Sequence, residues 1–247
     1  MKFGIADYGM NVWEGGLYDI DARLRDLKSI GFDGTERLEA VSEADALHKA
    51  AIYHKMGMDF STCRGPNVQV NIEWSAALGK KYVWLTPSDL SREVDFEVFC
   101  RRANRMIDAC AAWGIRAAIH NHLWQRVESQ CELEDFLKKC PGAGLVFDTG
   151  HLSAAGGDPV EIVKKYAGRI AVMHLKDVVV KPDGKFERFC ELGAGNNGLD
   201  NRKVMEALVA TGYDGWVHIE HDCHLNDPVL DLGKSYKYLI DAGFTNK

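Results

Sequence analysis

Four strand-like apolar runs in the second half of the chain each end on a side chain that can bind a metal: Ala118-Ile119-His120-Asn121-His122, Leu145-Val146-Phe147-Asp148, Ala171-Val172-Met173-His174 and Trp216-Val217-His218-Ile219-Glu220. A chain that repeatedly places His, Asp and Glu where strands stop is building one polar site from many strand ends. That geometry belongs to the C-terminal face of a parallel barrel.

The remaining pattern supports a closed arrangement. Apolar or β-branched runs near 2–6, 33–38, 59–63, 81–86, 115–121, 144–148, 170–175 and 214–220 alternate with helical spacing over 18–30, 43–56, 69–79, 95–113, 129–139, 158–167, 201–211 and 228–241. Gly31, Gly57, Gly79, Gly114, Gly168 and Gly212 fall between helical runs and the strands that follow, where a left-handed cap is wanted. Eight strands and eight helices make an α/β chain of the (β/α)8 TIM-barrel class, and 247 residues is near the typical size of one such barrel. No linker or low-complexity segment divides the sequence, so residues 1–247 read as a single TIM-barrel domain. The third and fourth units are the least regular, because Asn67-Val68-Gln69-Val70-Asn71-Ile72 also fits a strand. An open doubly wound sheet would announce itself by a Gly-rich phosphate turn after the first strand, and Asp7-Tyr8-Gly9-Met10-Asn11 contains none.

Composition excludes several classes of function. With 36 acidic and 30 basic residues the net charge is −6, so no general attraction to nucleic acid or anionic lipid is expected. No apolar stretch is long enough to cross a bilayer and the first residues do not form a signal peptide, which points to the cytoplasm. Seven scattered cysteines without a close CxxC pair argue against a disulfide framework and against a zinc-thiolate site.

Strand alternation assigns faces to the polar residues. Trp216, His218 and Glu220 share one face, Asp148 lies with Val146, His174 with Val172 and Lys176, and His120 with His122. A buried, uncompensated carboxylate costs several kcal/mol, and a divalent cation removes that cost. Asp148, His174 and Glu220 together are therefore read as ligands, and their oxygen and nitrogen donors suit Mn²⁺, with Mg²⁺ or Co²⁺ as alternatives. His218 is expected to pack beneath the site, His221 and His224 to be exposed on a loop, and His48 and His54 to lie on a solvated helix face. Arg64 and Lys176 follow strands and reach the mouth, while Trp13, Trp84 and Trp124 stand near strand ends where a ring could stack on a sugar.

The segments Phe147-Asp148-Thr149-Gly150-His151-Leu152, Arg169 to Asp177, Glu191-Leu192-Gly193-Ala194-Gly195 and Gly212 to Glu220 resemble the sugar phosphate isomerase/epimerase superfamily with a xylose-isomerase-like TIM barrel. Gly31-Phe32-Asp33-Gly34-Thr35-Glu36 is similar to its second-strand pattern. The resemblance implies one divalent metal ion held by two glutamates, an aspartate and a histidine; by motif Asp148, His174 and Glu220 supply three of them. At the fifth strand, where many epimerases have Glu-Asn-His, this chain has His120-Asn121-His122. Inosose dehydratases resemble this variant, with a glutamate after the His-x-His, which makes Glu128 the preferred fourth ligand and His120 its substitute. Glu128 directly precedes Ser129 and also reads as a helix-start carboxylate. Substrate contacts are expected from His151, Lys176, Arg64, Glu36 and Trp124.

The function implied is isomerisation or epimerisation of a keto-sugar or related polyol, by α-proton abstraction through a metal-stabilised enediolate. Glu220 would serve as one of the acid–base pair, and Glu128, His120 or His122 as the other. Expulsion of a β-hydroxyl from the same intermediate would instead make the enzyme a dehydratase or lyase of a keto-cyclitol or 3-keto-glycoside, and an imidazole able to protonate a leaving group favours that branch. A metal-dependent endonuclease for abasic sites has a similar barrel but needs a basic surface that this composition lacks. A barrel subunit without catalysis is the remaining alternative. The expected partner is a small sugar or cyclitol, with no nucleic acid and no membrane; a homo-oligomer or a partner subunit is left open.

Overall fold

The computed structural model of the chain describes residues 1–13, 19–85 and 92–246. Parallel strands β1 (Lys2–Ile5), β2 (Gly34–Glu39), β3 (Asp59–Arg64), β4 (Tyr82–Trp84), β5 (Arg116–His120), β6 (Gly144–Asp148) and β7 (Ile170–Leu175) are followed by a hairpin of β8 (Asp177–Val180) and β9 (Phe186–Cys190), and then by β10 (Trp216–Ile219). Hydrogen bonding joins the barrel strands in the order β3-β2-β1-β10-β7-β6-β5-β4. The barrel is nearly closed: β3 and β4 share no backbone ladder among the described residues, and side chains bridge the seam instead. The Thr62 hydroxyl donates to the Tyr82 carbonyl at 2.7 Å, and the Ser61 and Tyr82 hydroxyls meet at 2.9 Å.

Helices α1 (Tyr8–Trp13), α2 (Ile20–Ile30), α3 (Glu43–Met56), α4 (Val68–Ala77), α5 (Phe96–Ala111), α6 (Gln130–Lys139), α7 (Thr149–Ala154), α8 (Pro159–Tyr166), α9 (Asn201–Ala210) and α10 (Pro228–Asp241) surround the strands. Their starts are marked by side-chain caps, among them Asp19, Ser42, Asp95, Asp158 and Asp200, which accept from first-turn N–H groups. The same chemistry decides the ambiguous stretch at 67–72. Asn67 accepts from the Val70 N–H at 3.0 Å and starts α4, so these residues are helical rather than extended. Gly31 ends α2 with φ 119°, in the left-handed half of backbone space that Gly occupies without strain.

Strand alternation sorts the core into two layers. Phe3, Ile5, Ile119, Phe147, Met173, Leu175, Val217 and Ile219 point outward and pack with buried helix residues such as Leu24, Leu27, Phe99 and Phe136. Inside the barrel, Tyr82, Ala118, Val146 and Val172 form a smaller cluster with Trp216. Above it the parallel register lines up Gly4, His218, His174 and Asp148 across β1, β10, β7 and β6. Gly4 is needed there: a Cβ would lie 2.6 Å from His218 Nδ1 and 2.8 Å from the Gly34 carbonyl. The barrel therefore admits a buried imidazole only because the first strand leaves it room.

The hairpin β8–β9 was not among the expected elements, although Val178-Val179-Val180 followed by Pro182-Asp183-Gly184 is a strand and turn signal. Val178 and Phe189 of the hairpin are buried with Leu123 at the barrel mouth. The fourth strand is shorter than the expected 81–86, and residues 18 and 86 and the side chain of Trp13 lie outside the described residues. All seven cysteines are free thiols. Among the described residues no helix is long and apolar enough to cross a membrane.

Removing the seam hydrogen bond tests how the barrel is closed. Thr62→Val keeps the shape and strands the Tyr82 carbonyl, so urea denaturation should show stability lower by about 1–3 kcal/mol; an unchanged midpoint would mean that the β3–β4 seam carries no load.

Candidate metal centre

His120, Asp148, His174 and Glu220 come from the ends of β5, β6, β7 and β10, and one donor atom from each lies within 4.8 Å of all the others. Each is aimed by a partner outside the cluster. Asp148 is the N-cap of α7: its Oδ1 accepts from the His151 N–H at 2.8 Å, which leaves Oδ2 directed at the cluster. The Asn121 side chain clamps the Asp148 backbone from both sides, donating to its carbonyl and accepting from its N–H, each at 2.9 Å. The His174 ring is held between two carboxylates, with Nδ1 2.8 Å from Glu220 Oε2 and Nε2 3.0 Å from Glu36 Oε1. Glu36 is fixed in turn by the Tyr82 hydroxyl at 3.0 Å and the Trp84 indole N–H at 2.9 Å.

The electrostatics follow from burial. Burial opposes a charge on His174, yet Glu36 and Glu220 outweigh it and raise its pKa to about 10. Burial likewise opposes ionisation of Glu36, but the imidazolium of His174 prevails and lowers its pKa to about 2. Asp148 and Glu220 are also held below the usual carboxylate range against their burial, with Lys176 the strongest attraction in both cases. The Lys176 ammonium is fully buried, 2.8 Å from Asp222 Oδ1, 2.8 Å from His151 Nε2, 3.1 Å from Glu220 Oε2 and 3.3 Å from Asp148 Oδ2. His120 is different: burial lowers its pKa to about 4 and keeps the ring neutral.

These residues fit a divalent cation. His120 Nε2 and Asp148 Oδ2 are buried, lack any hydrogen-bond partner and face each other at 3.5 Å. Two imidazoles and two carboxylates without a thiol form a donor set for Mn²⁺, Co²⁺ or Zn²⁺. Glu36 behind His174 is the carboxylate that commonly fixes the ring of a metal-binding histidine. A second group, His122, His151 and Asp222, adjoins the first, with the Lys176 ammonium between them. A cavity of about 810 Å³ opens over the cluster, and its walls include His120, His122, Glu220, Asp222, Trp84, Arg37 and Arg64.

Asp148, His174 and Glu220 are thus brought together, and His120 stands with them as the fourth side chain that could hold an ion. Glu128, the preferred fourth ligand in the sequence reading, is outside the cluster: its carboxylate pairs with Arg92, just ahead of the Ser129 N-cap of α6. Ser129 and Glu132 form a capping box there, and the turn through 121–128 carries the Glu128 side chain away from the barrel axis. Glu36, expected at the substrate, is buried behind His174 and does not line the cavity. Lys176 is engaged by four groups and does not line it either. His151 is buried against His122, with ring centroids 3.8 Å apart. Trp124 is 68% exposed and meets Phe186 of the hairpin rather than the cavity, whereas Arg64 and Trp84 stand in its wall.

His218 lies beneath the site, fully buried, with Nε2 2.9 Å from the Ser61 hydroxyl. His48 and His54 are exposed on α3. His221 and His224 correct the expectation of exposed loop residues. His221 is buried with Nε2 3.0 Å from Ser235 Oγ, and the His224 side chain is buried beside Asp231. Asn121 and Asp222 were missed, and only the polar run after each strand hinted at them.

The sequence profile of the xylose isomerase-like TIM barrel family matches residues 67–242. The chain belongs to that family. Its relatives include the rhizopine catabolism protein MocC of Rhizobium meliloti, 32% identical over 143 residues that cover 52% of this chain and 43% of MocC. The inosose dehydratase of Geobacillus thermodenitrificans is 26% identical over 219 residues, covering 83% of this chain and 69% of that protein. That of Clostridium botulinum (strain Alaska E43 / Type E3) is 29% identical over 162 residues, covering 60% and 54%. The chain therefore spans about half to two thirds of the length of these curated relatives, between 43% and 69%. Two solved structures share the fold. The probable 3-DHS dehydratase AsbF of Bacillus anthracis superposes with a TM-score of 0.75 at 12% identity, covering 97% of this chain and 99% of AsbF. The 3-keto-D-glucoside 4-epimerase YcjR of E. coli gives 0.71 at 15% identity, covering 98% and 99%.

Two measurements test this centre. Glu36→Gln should lower divalent-ion affinity about 10- to 100-fold in a chelator competition, while Glu128→Gln should leave it unchanged; the reverse order would restore Glu128 as a ligand. In the metal-free protein, the raised pKa of His174 contributes stability in full below the unfolded value of about 6.5. That contribution is lost as pH rises through about 10. An NMR titration should find one imidazole still protonated above about pH 8, and finding none would remove the Glu36–His174–Glu220 pairing.

Proposed function

We propose that this chain is a metal-dependent dehydratase acting on a keto-cyclitol or similar cyclic keto-polyol by β-elimination. The observation that carries the reading is the pairing on one cavity wall of His122, an imidazole placed to take a proton, with Asp222, a second proton carrier that can serve a departing hydroxyl. The inosose dehydratase relatives support the same choice.

His120, Asp148, His174 and Glu220 would hold the ion, and Mn²⁺ suits this mixed donor set. When bound, a divalent cation supplies Lewis-acid polarisation of a carbonyl and electrostatic stabilisation of negative charge beside it. The chain's own groups handle the protons. His122 Nδ1 lies 2.7 Å from the Leu123 carbonyl, a contact that only an N–H can make, so a neutral ring presents a bare Nε2 able to take a proton. Asp222, also on the cavity wall, has its pKa raised by burial against the pull of Lys176, which suits it to give a proton to a departing hydroxyl. Trp84 forms an apolar wall for the ring of the substrate, 4.6 Å from the His120 ring. Lys176 holds Asp148, Glu220 and Asp222 in place with its ammonium.

A second reading, isomerisation or epimerisation, is favoured by one further feature: the Glu220 carboxylate shares the cavity wall with His122, so two proton carriers flank the same space. Return of the proton from either would invert or move a stereocentre without loss of water.

The experiment follows a keto-cyclitol in deuterated buffer with the ion-loaded protein. Enone absorbance together with solvent-dependent loss of the α-proton is expected for dehydration, and α-exchange with a new stereoisomer but no enone would establish the second reading. His122→Ala should lower kcat about 10²- to 10⁴-fold with bound metal unchanged. Absence of α-exchange on every keto-polyol offered would end both readings.

A further inference from the structure

The metal-binding side chains are only part of the cavity wall. Arg37, the residue after Glu36 on β2, also lines it. Its side chain is only 9% exposed, yet its Nε has no hydrogen-bond partner. No hydrogen bond from its guanidinium to another described residue occurs. The nearest carboxylate oxygens are long contacts, Glu36 Oε2 at 3.9 Å and Glu39 Oε1 at 4.0 Å. Glu36, Asp7 and Glu39 attract its charge, but contacts of that length are not hydrogen bonds and leave donors of the guanidinium unmade. Buried donors left unmade are costly, so a site that keeps them free is arranged for something that arrives later.

The surroundings define what that is. The Arg37 guanidinium lies over the Trp84 ring, 5.2 Å from its centroid, and the same indole borders His120 of the metal centre. Trp84 therefore adjoins both the metal centre and the guanidinium. Arg64, with its side chain 58% exposed and one nitrogen 3.4 Å from Glu39 Oε1, lines the same cavity and also a neighbouring one of about 600 Å³ that Arg37 borders as well. Lys176 cannot play this part, since four acceptors already surround its ammonium.

From this geometry we infer that the substrate carries an oxyanion, a carboxylate or a phosphate ester, and that Arg37 binds it through its planar fork with Arg64 in support. The inference rests on the reading of this cavity as the reaction site and narrows it to anionic keto-polyols. A guanidinium meets two oxygens of either group in parallel hydrogen bonds, which an ammonium or a neutral side chain cannot reproduce.

The test uses ligands without a carbonyl, so that binding is read apart from turnover. Calorimetry would compare a polyhydroxylated cyclohexane carboxylate, its neutral hydroxymethyl counterpart and a cyclohexane-polyol phosphate monoester on the ion-loaded protein. An anionic ligand is expected to bind about ten- to a hundredfold tighter than the neutral one, and whichever anion leads identifies the group. Arg37→Met should abolish the difference, Arg37→Lys restore part of it, and Arg64→Ala reduce it mildly. Equal binding of all three ligands to the wild-type protein overturns the inference whether or not the Arg37 variants fold; so does a preference that survives Arg37→Met. Anion preference without turnover of any keto-polyol would leave this subsite standing and sink only the proposed reaction.

Discussion

The structure around the barrel mouth depends on one electrostatic constraint. Glu36, Asp148 and Glu220 are buried, the last at the foot of the cavity, and ionised carboxylates there persist only if positive charge is built in alongside. His174 and Lys176 supply it. Each touches carboxylates from different strands, so the charges bind strand ends to one another as well as to themselves. His120 and Asp148, whose facing atoms lack partners, mark where a further positive charge fits.

The scaffold makes this constraint affordable by precise, mostly uncharged means. One register row carries Gly4, His218, His174 and Asp148, and the missing side chain at Gly4 gives the histidine layer its space. Asn121 fixes the backbone of Asp148, and Asp148 also caps α7, so one of its oxygens is committed and the other is free. The Phe189 ring of the hairpin packs over the Lys176 ammonium, its centroid 4.6 Å away. On the same cavity wall, Arg37 keeps its buried Nε unpartnered beside Trp84.

Much of this was legible before the fold was seen, and for local reasons. Alternation along a strand separates inward from outward residues, so Val217 and Ile219 in the helix layer and His218 inside the barrel follow from parity alone. Asp148, His174 and Glu220 end strands, and parallel strands in a barrel end on the same face. Glu128 was misread because its distance along the chain from His122 says nothing of direction: the turn before α6 sends it to Arg92. Glu36 was read as a substrate contact because its strand position is right, but whether it meets the cavity or the back of His174 depends on side chains from the other wall. The buried His221 and His224 resemble ordinary loop histidines until α10 packs against them.

The sequence by itself determined the alternation of strands and helices, the caps that start the helices, the faces of each strand and hence the side chains available to a site. These are properties of neighbours along the chain, set by backbone periodicity and by hydrogen bonds within a few residues. Only the tertiary structure decided which of those side chains meet: that His120 rather than Glu128 completes the cluster, that Glu36 orients His174, and that Arg37 lines the cavity with its buried Nε unpartnered. Such pairings join residues as many as 138 positions apart, and closure of the barrel, not any local preference, brings them within hydrogen-bond reach.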